Sequence, residues 1–438
     1  MASNPIVNMF KVKEIRDRLF FTLIILAVFR LGCVITIPGI DAKALLDHFN
    51  NMANESGNSF VSYLDFFVGG AFSNFSILML GVMPYISMQI IMQLAVIIFP
   101  GLKRISQEDG GQRKIAQYSR FGTIIVCIIQ SLGVTVYAES IGCVVMGHLA
   151  FKLVAILTVT TGSMVTIWLG DQITARGIGN GVSMIIFAGI VARLPNAIVE
   201  LVRSDVKLVF VIVVLIMFVL IIGLVIFEES GQRKIPVHYA KRVVGRKMYG
   251  GQSTYIPFKV NPSNVIPLIF ASSILTLPMT IVSTFAQSTS PKPWVSALSR
   301  FLDPSGVGYN ILLVLLIIFF AYFYTQVTLN PTEIARNIRE NGGSIPGVRS
   351  DKTEEYLTKI LNRLILPGSL FLAFIAVIPT IIQNAFGFPQ QISMLMGGTS
   401  LIILVGVDLD TMSQVEALLK MHHHDGLTKK GKISSRNL

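Results

Sequence analysis

Charge is what this sequence has least of. Only 14% of its 438 residues are Asp, Glu, Lys or Arg, while 52% are hydrophobic, and mean hydropathy is +0.66. A soluble core does not need so much apolar surface; a bilayer does. Acidic groups are scarcest where coupled transport would require them, since ions and protons crossing a membrane use embedded carboxylates. The long apolar stretches hold essentially none: Asp65 lies in a shorter segment, and Glu200 and Asp408 fall at stretch ends. Cysteine is also rare. Cys33, Cys127 and Cys143 are odd in number and widely spaced, which excludes a disulfide framework, and a thiol in an apolar run acts as a small hydrophobe. No GxxxxGK[ST] phosphate loop, no HExxH and no membrane-embedded pair of aspartates occurs, so no enzyme chemistry, cofactor or metal is expected. GIGNG at 177–181 lacks the GxGxxG spacing and a preceding strand, and is read as a tight turn between helices. MHHHDG, with His422 to His424, lacks a supporting carboxylate or thiol pattern and is read as solvated tail.

What the sequence does have is length in apolar runs. Ten stretches can each supply the roughly 20 residues needed to cross hydrocarbon. They lie near 20–37, 76–98, 119–138, 152–170, 182–200, 208–227, 264–286, 310–329, 361–383 and 392–408. The first follows KVKEIRDR and so mimics a secretion signal. However, Arg30 interrupts it and no small-residue cleavage site follows, which predicts a retained span. Ten is even, so both termini share a side. Of 36 Lys and Arg, 28 fall in or beside the terminal tails and the segments near 99–118, 171–181, 228–263 and 330–360, against seven on the opposite side. That bias assigns the first set, and both termini, to the cytoplasm.

Ten spans divide into five and five, and an odd number per half inverts the second half relative to the first. The expected division is 1–200, then 201–415 carrying the cytoplasmic loops 228–263 and 330–360, then a tail at 416–438. GQRKI occurs at both 111–115 and 231–235, but at non-equivalent places in the halves, so it is read as chance recurrence.

Several details stand out inside this frame. SFVSYLDFFVGGAFSNFS at 59–76 is apolar but short, contains Asp65 and breaks at Gly69-Gly70. It is either an interfacial helix or a re-entrant piece lodged inside protein. Arg30 costs roughly 2.5–3.5 kcal/mol at mid-membrane, so it is expected to face protein and bond backbone carbonyls or the half-segment. Val82 and Ile86 share one helix face, as do Ile186 and Ile190. Pro84 is expected to bend the second span. Periodicity alone makes these aliphatic pairs packing or lipid contact. Finally, 231–260 holds seven basic residues and no acidic one. Such a segment beside a membrane serves orientation, anionic lipid, or an acidic or nucleic-acid partner.

A set of ordered motifs narrows this. VFRLGCVITIPGID (28–41), GVMPYISMQIIMQL (81–94), WLGDQITARGIGNGVSMIIFAGI (168–190), YAKRVVGRKMYGGQSTYIPFKVN (239–261), VIPLIFASSIL (265–275), GGSIPGVR (342–349) and GGTSLIILVGV (397–407) together resemble the SecY family, channel subunits of the bacterial Sec translocon. The match runs over about 11–415 and leaves out the tail and the outer loop near 42–58. The resemblance implies an all-α membrane protein, its ten helices in two inverted halves around an hourglass pore for unfolded secretory polypeptides. It implies a plug at about 61–75, including Tyr63, Leu64, Asp65, Phe66, Phe67, Gly69 and Gly70. It also implies an aliphatic constriction of Val82, Ile86, Ile186, Ile190, Ile274 and Ile403; Val82 stands where the family often has isoleucine, which would slightly widen the ring.

Spans two and seven would form a lateral gate releasing apolar segments into the bilayer. Ser87 and Gln130 match its polar positions, and Pro84, Pro267 and Pro278 would help it flex. Arg246, Lys247 and Arg349 match basic positions that dock the ribosome and the SecA ATPase, and small SecE-like and SecG-like membrane subunits are implied as partners. The competing reading is a solute transporter with large basic cytoplasmic loops. The missing embedded acids and phosphate motif favour the channel.

Overall fold

The computed structural model describes residues 12–41, 44–45, 65, 68–203, 208–239, 242–244, 247–249, 253–286, 293–303, 306–386 and 398–430. A helix occupies each of the ten predicted stretches. They are α1 (Lys13–Gly32), α2 (Met83–Ile98), α4 (Gly111–Ile141), α5 (His148–Arg176), α6 (Gly181–Arg203), α7 (Leu208–Ser230), α8 (Ile266–Ala286), α10 (Val307–Thr328), α12 (Thr353–Phe386) and α13 (Gly398–Lys430). Shorter helices α3 (Pro100–Gln107), α9 (Pro293–Phe301) and α11 (Pro331–Glu340) lie between them. Among the described residues four helices are by length and composition alone able to cross a bilayer, and α2 with α3, bent by 106°, makes a fifth.

Exposure shows which solvent the helices are built for. On α4, Phe121, Ile125, Ile129, Leu132 and Val136 form an exposed stripe, while Ser119, Thr123, Gln130, Ser131 and Thr135 are buried. Ile125 is 63% exposed and Thr123 0%. That inverts the usual order of a soluble helix, and is the arrangement hydrocarbon favours. The buried hydroxyls bond their own helix: Thr123 Oγ1 donates to Ser119 O at 2.7 Å. On α10, Val307, Ile311, Leu315 and Phe319 repeat the exposed stripe at four-residue spacing.

The chain packs into two compact units. One comprises Met1–Ala197, Gln287–Thr289 and Ile403–Leu438; the other comprises Ile198–Ala286 and Ser290–Ile402. In the first, α1 packs on α5, and α4 on both α2 and α5. In the second, α10 packs between α8 and α12.

The expectation for two prolines is corrected. Pro84 does not bend a helix: α2 begins only at Met83, with Val82 as its N-cap, so the ring sits in the first turn where no amide partner is lost. Pro267 likewise is the second residue of α8, and only Pro278 lies inside it. α13 runs past the apolar stretch that ends near 408 and continues to Lys430.

The basic stretch is a sheet rather than a loop. β1 (Gln232–Tyr239) pairs antiparallel with β4 (Ser253–Lys259), and a short β5 (Gly343–Ser344) adds to its other edge. Between them β2 (Arg242–Val244) pairs with β3 (Lys247–Tyr249). Alternation sorts the side chains. Ile235, Val237 and Phe258 turn inward onto Ala335, Ile338, Leu357 and Ile360, and Lys234, Pro236 and His238 on the opposite face are left exposed.

Candidate functional site

The residues before α2 carry the most unusual geometry. From Gly69 to Val82 the chain runs as successive turns, with Gly69, Gly70 and Gly81 at positive φ. A short antiparallel contact ties it to the end of α1: the Ile37 amide donates to Phe75 O (2.9 Å), and the Ile77 amide to Ile35 O (2.9 Å). Phe72 and Phe75 pack with Tyr137 of α4, the Phe75 and Tyr137 rings stacked 6.1 Å apart. Asp65, Val68, Ala71, Phe72, Phe75 and Ser76 are all buried. Of the two readings left open for this half-segment, its described residues follow the one lodged inside protein.

Its polar groups are held by arginines. Arg30 of α1, predicted to face protein, donates through Nη1 to Gly69 O at 2.8 Å. Arg193 of α6 forms an ion pair with Asp65 through Nη2 and Oδ2. The other carboxylate oxygen of Asp65 accepts the Ser73 amide at 2.7 Å. Gly69 lies so close to α6 that a Cβ there would stand 2.6 Å from Gly189 O and 2.7 Å from its Cα. Arg193 and Gly189 were not singled out from sequence. The available signal was a second arginine inside an apolar stretch, seven residues after Ile186.

The proposed constriction residues are placed as follows. Val82 and Ile186 line one small cavity together with Val68 of the half-segment and Phe29 of α1. Val82, Ile86, Ile186, Ile190 and Ile403 are buried within the first unit. The Ile86 amide donates to Val82 O at 3.1 Å, which fixes the pair one turn apart. Ile274 is half-buried in α8, in the second unit. Ser87 and Gln130 are both buried, and Ser87 Oγ donates to Met83 O at 3.1 Å. Tyr63, Leu64, Phe66 and Phe67 lie outside the described residues.

Of the docking candidates, Arg349 is exposed just after the left-handed Gly347. Lys247 opens β3 opposite Val244, and Arg246 lies outside the described residues. The root of this sheet is a buried polar joint. Asn261 Nδ2 donates to Glu229 Oε1 at 3.3 Å and to Asn264 O at 3.1 Å, and Lys259 Nζ stands 3.9 Å from Glu229 Oε2. Burial, and then the neighbouring Glu229, push the Glu228 carboxyl from 4.5 up to about 8.

GIGNG is a turn, as expected, with three of its amides bonded by side chains from helices. The Ile178 amide donates to Thr22 Oγ1 (3.1 Å), Gly179 to Gln414 Oε1 (3.0 Å) and Gly181 to Thr174 Oγ1 (2.9 Å). It joins α1, α5 and α13 rather than holding a phosphate. Among the described residues no cluster of His, Cys, Asp and Glu has metal-binding geometry.

Comparison with known proteins gives the same direction at each level. The family model described as SecY matches residues 76–412. The chain is 45% identical over 421 residues to the protein translocase subunit SecY of Borreliella burgdorferi, covering 94% of this chain and 95% of that one. Its fold is similar, with TM-score 0.64 at 19% identity over 99% of this chain and 100% of the other, to a structure concerning how the plug domain of the SecY protein stabilises the closed state of the translocation channel and maintains a membrane seal. It is similar also to Sec61 in the canine ribosome-channel complex from the endoplasmic reticulum, with TM-score 0.61, 18% identity, and coverage of 99% and 100%.

Proposed function

The chain belongs to the SecY family, and from that premise we propose that its pore passes through Val82, Ile86, Ile186, Ile190, Ile274 and Ile403 and is closed by the segment at 61–75. It is a membrane protein that conducts polypeptides, not an enzyme. The observation that carries the proposal is the shared cavity in which Val68 of the half-segment meets Val82 and Ile186. A ring of aliphatic side chains offers water and ions no replacement for their hydration, yet yields around a passing chain of any sequence. An acidic or hydrogen-bonding ring would do neither.

The remaining assignments follow the same reading. The inverted halves are 1–200 and 201–415, in the cytoplasmic membrane with both termini inside. α2 and α8 form the lateral gate for apolar segments, with Ser87 and Gln130 as its polar positions. The exposed basic face of β1, with Arg246, Lys247 and Arg349, docks the ribosome and the SecA motor. RNA phosphate suits such a face, and exposed charge steers either partner toward it. SecE-like and SecG-like subunits complete the channel.

The seal is testable through its chemistry. Ile86→Ser with Ile190→Ser introduces hydroxyls that hydrogen-bond water at the constriction and lowers the barrier to wetting. In planar bilayers this double variant should conduct ions without any substrate. If it is folded, inserted and as ion-tight as the parent, these residues are packing and the pore lies elsewhere.

A further inference from the structure

We propose that Arg193 is a positioning residue for the plug, forming with Asp65 a charge latch that holds this segment shut. The inference rests on the plug reading above and adds the element that fastens it.

Arg193 is on the right face of the right helix. Ile186, Ile190 and Arg193 are spaced i, i+4, i+7 along α6, so the arginine continues the constriction stripe by one turn. Asp65 is buried, and its two oxygens have different tasks. Oδ1 accepts the Ser73 amide at 2.7 Å, and the Gly70 amide donates to Asp65 O at 3.0 Å, so the loop from 65 to 73 is closed on itself. Oδ2 faces outward from that loop to the Arg193 guanidinium. Ser73 Oγ completes the loop by donating to Gly70 O at 3.0 Å, and also lies 3.5 Å from Arg193 Nη2. The segment therefore carries its own internal hydrogen bonds and is fastened to α6 by a separate charge contact. Releasing it breaks the contact without dissolving the loop.

Such a fastening responds to water. Two opposite charges attract strongly while buried, and removing one partner leaves the other uncompensated. When the pore fills and the segment moves, both charges regain hydration and the attraction falls. The aliphatic ring excludes water, and the latch is strong only while water is excluded. Each thus supports the other in the closed state. Arg30, bonded to Gly69 O from α1, fastens the same segment from a second helix.

The test measures resting ion conductance of the complex as isolated from membranes, with acceptance of a precursor bearing a defective signal sequence as second readout. Arg193→Ala and Asp65→Asn should each raise resting conductance about tenfold or more, because each leaves one buried or half-buried charge alone. Asp65→Asn retains an acceptor for Ser73, so its effect reports the charge rather than the loop. Arg193→Lys should stay near the parent. In the double variant Asp65→Asn with Arg193→Ala, conductance should not exceed that of either single variant, since no uncompensated charge remains. Singles as tight as the parent, or effects that multiply in the double, would overturn the latch. Deleting 65–73 separates the two levels. A leaky deletion with tight single variants removes the latch and keeps the plug, whereas a tight deletion removes both.

Discussion

Gly69→Ala adds one methyl group where two constraints meet. Gly69 has φ +68°, a left-handed conformation that costs an L-residue roughly 1–2 kcal/mol. The new Cβ would also stand 2.6 Å from Gly189 O and 2.7 Å from Gly189 Cα, both backbone atoms of α6 that cannot rotate away. Overpacking of this kind costs about 1–3 kcal/mol. Arg30 Nη1 is equally near and can move, but only by giving up its bond to Gly69 O. The backbone cost stays with the loop when it is released, so the seated segment loses the overpacking term, about 1–3 kcal/mol, relative to the unseated one. At 1.4 kcal/mol per decade this shifts the closed–open balance roughly 5-fold to 150-fold. Resting conductance in planar bilayers reads that shift directly. Gly110→Ala is the control: its φ is +78° and nothing lies within 4 Å of the added Cβ, so it carries the backbone term alone, outside the half-segment. It should lower stability modestly and leave the channel tight. If Gly69→Ala is folded and as tight as the Gly110 control, the close seating on α6 does not hold the channel shut.

Two further outcomes follow from the second unit. Arg349→Glu should weaken binding of ribosomes or of the SecA motor in a co-sedimentation assay without altering the melting temperature, because the residue is exposed. The lost component should be the part that salt screens, over about 10 Å at 0.1 M; unchanged binding of both partners would reduce the basic face to an orientation signal. At the sheet root, folded Glu228 holds its proton up to about pH 8, whereas the unfolded chain releases it near 4.5. Its contribution to stability is therefore full below pH 4.5, falls as pH rises toward 8 and is flat beyond. Glu228→Gln should remove that fall, melting higher than the parent at pH 8.5 and alike at pH 5; equal slopes would show that Glu228 does not titrate there.

Positions of the ten helices were legible because a bilayer demands long apolar runs and leaves charge only outside them. Arg30 was legible for the same reason, its charge in an apolar run requiring a partner, and it finds Gly69 O. Local sequence was a poorer guide to conformation. GQRKI opens the helix α4 at 111–115 but enters strand β1 at 231–235, so tertiary surroundings decide between them. Pro84 showed how a boundary misleads: the apolar run begins near 76, but the backbone turns through glycines until 82, and the proline starts the helix. The Asp65–Arg193 pair joins residues 128 apart, and no spacing rule links a loop carboxylate to a distant helix. The sheet was hidden because β1 and β4 carry Arg233, Lys234 and Lys259 and a proline each, Pro236 and Pro257, with only Ile235, Val237 and Phe258 marking the buried face.

A polypeptide stalled halfway through the channel tests the path itself. Single cysteines introduced by Ile86→Cys, Ile190→Cys and Ile403→Cys, in a chain whose Cys33, Cys127 and Cys143 have been replaced, should each cross-link to the stalled chain. Ile125→Cys and Leu157→Cys, on surfaces 63% and 68% exposed on α4 and α5, should not. Cross-links at 86, 190 and 403 alone are the result this account predicts. Cross-links at 125 or 157, with none at the three ring positions, would contradict it.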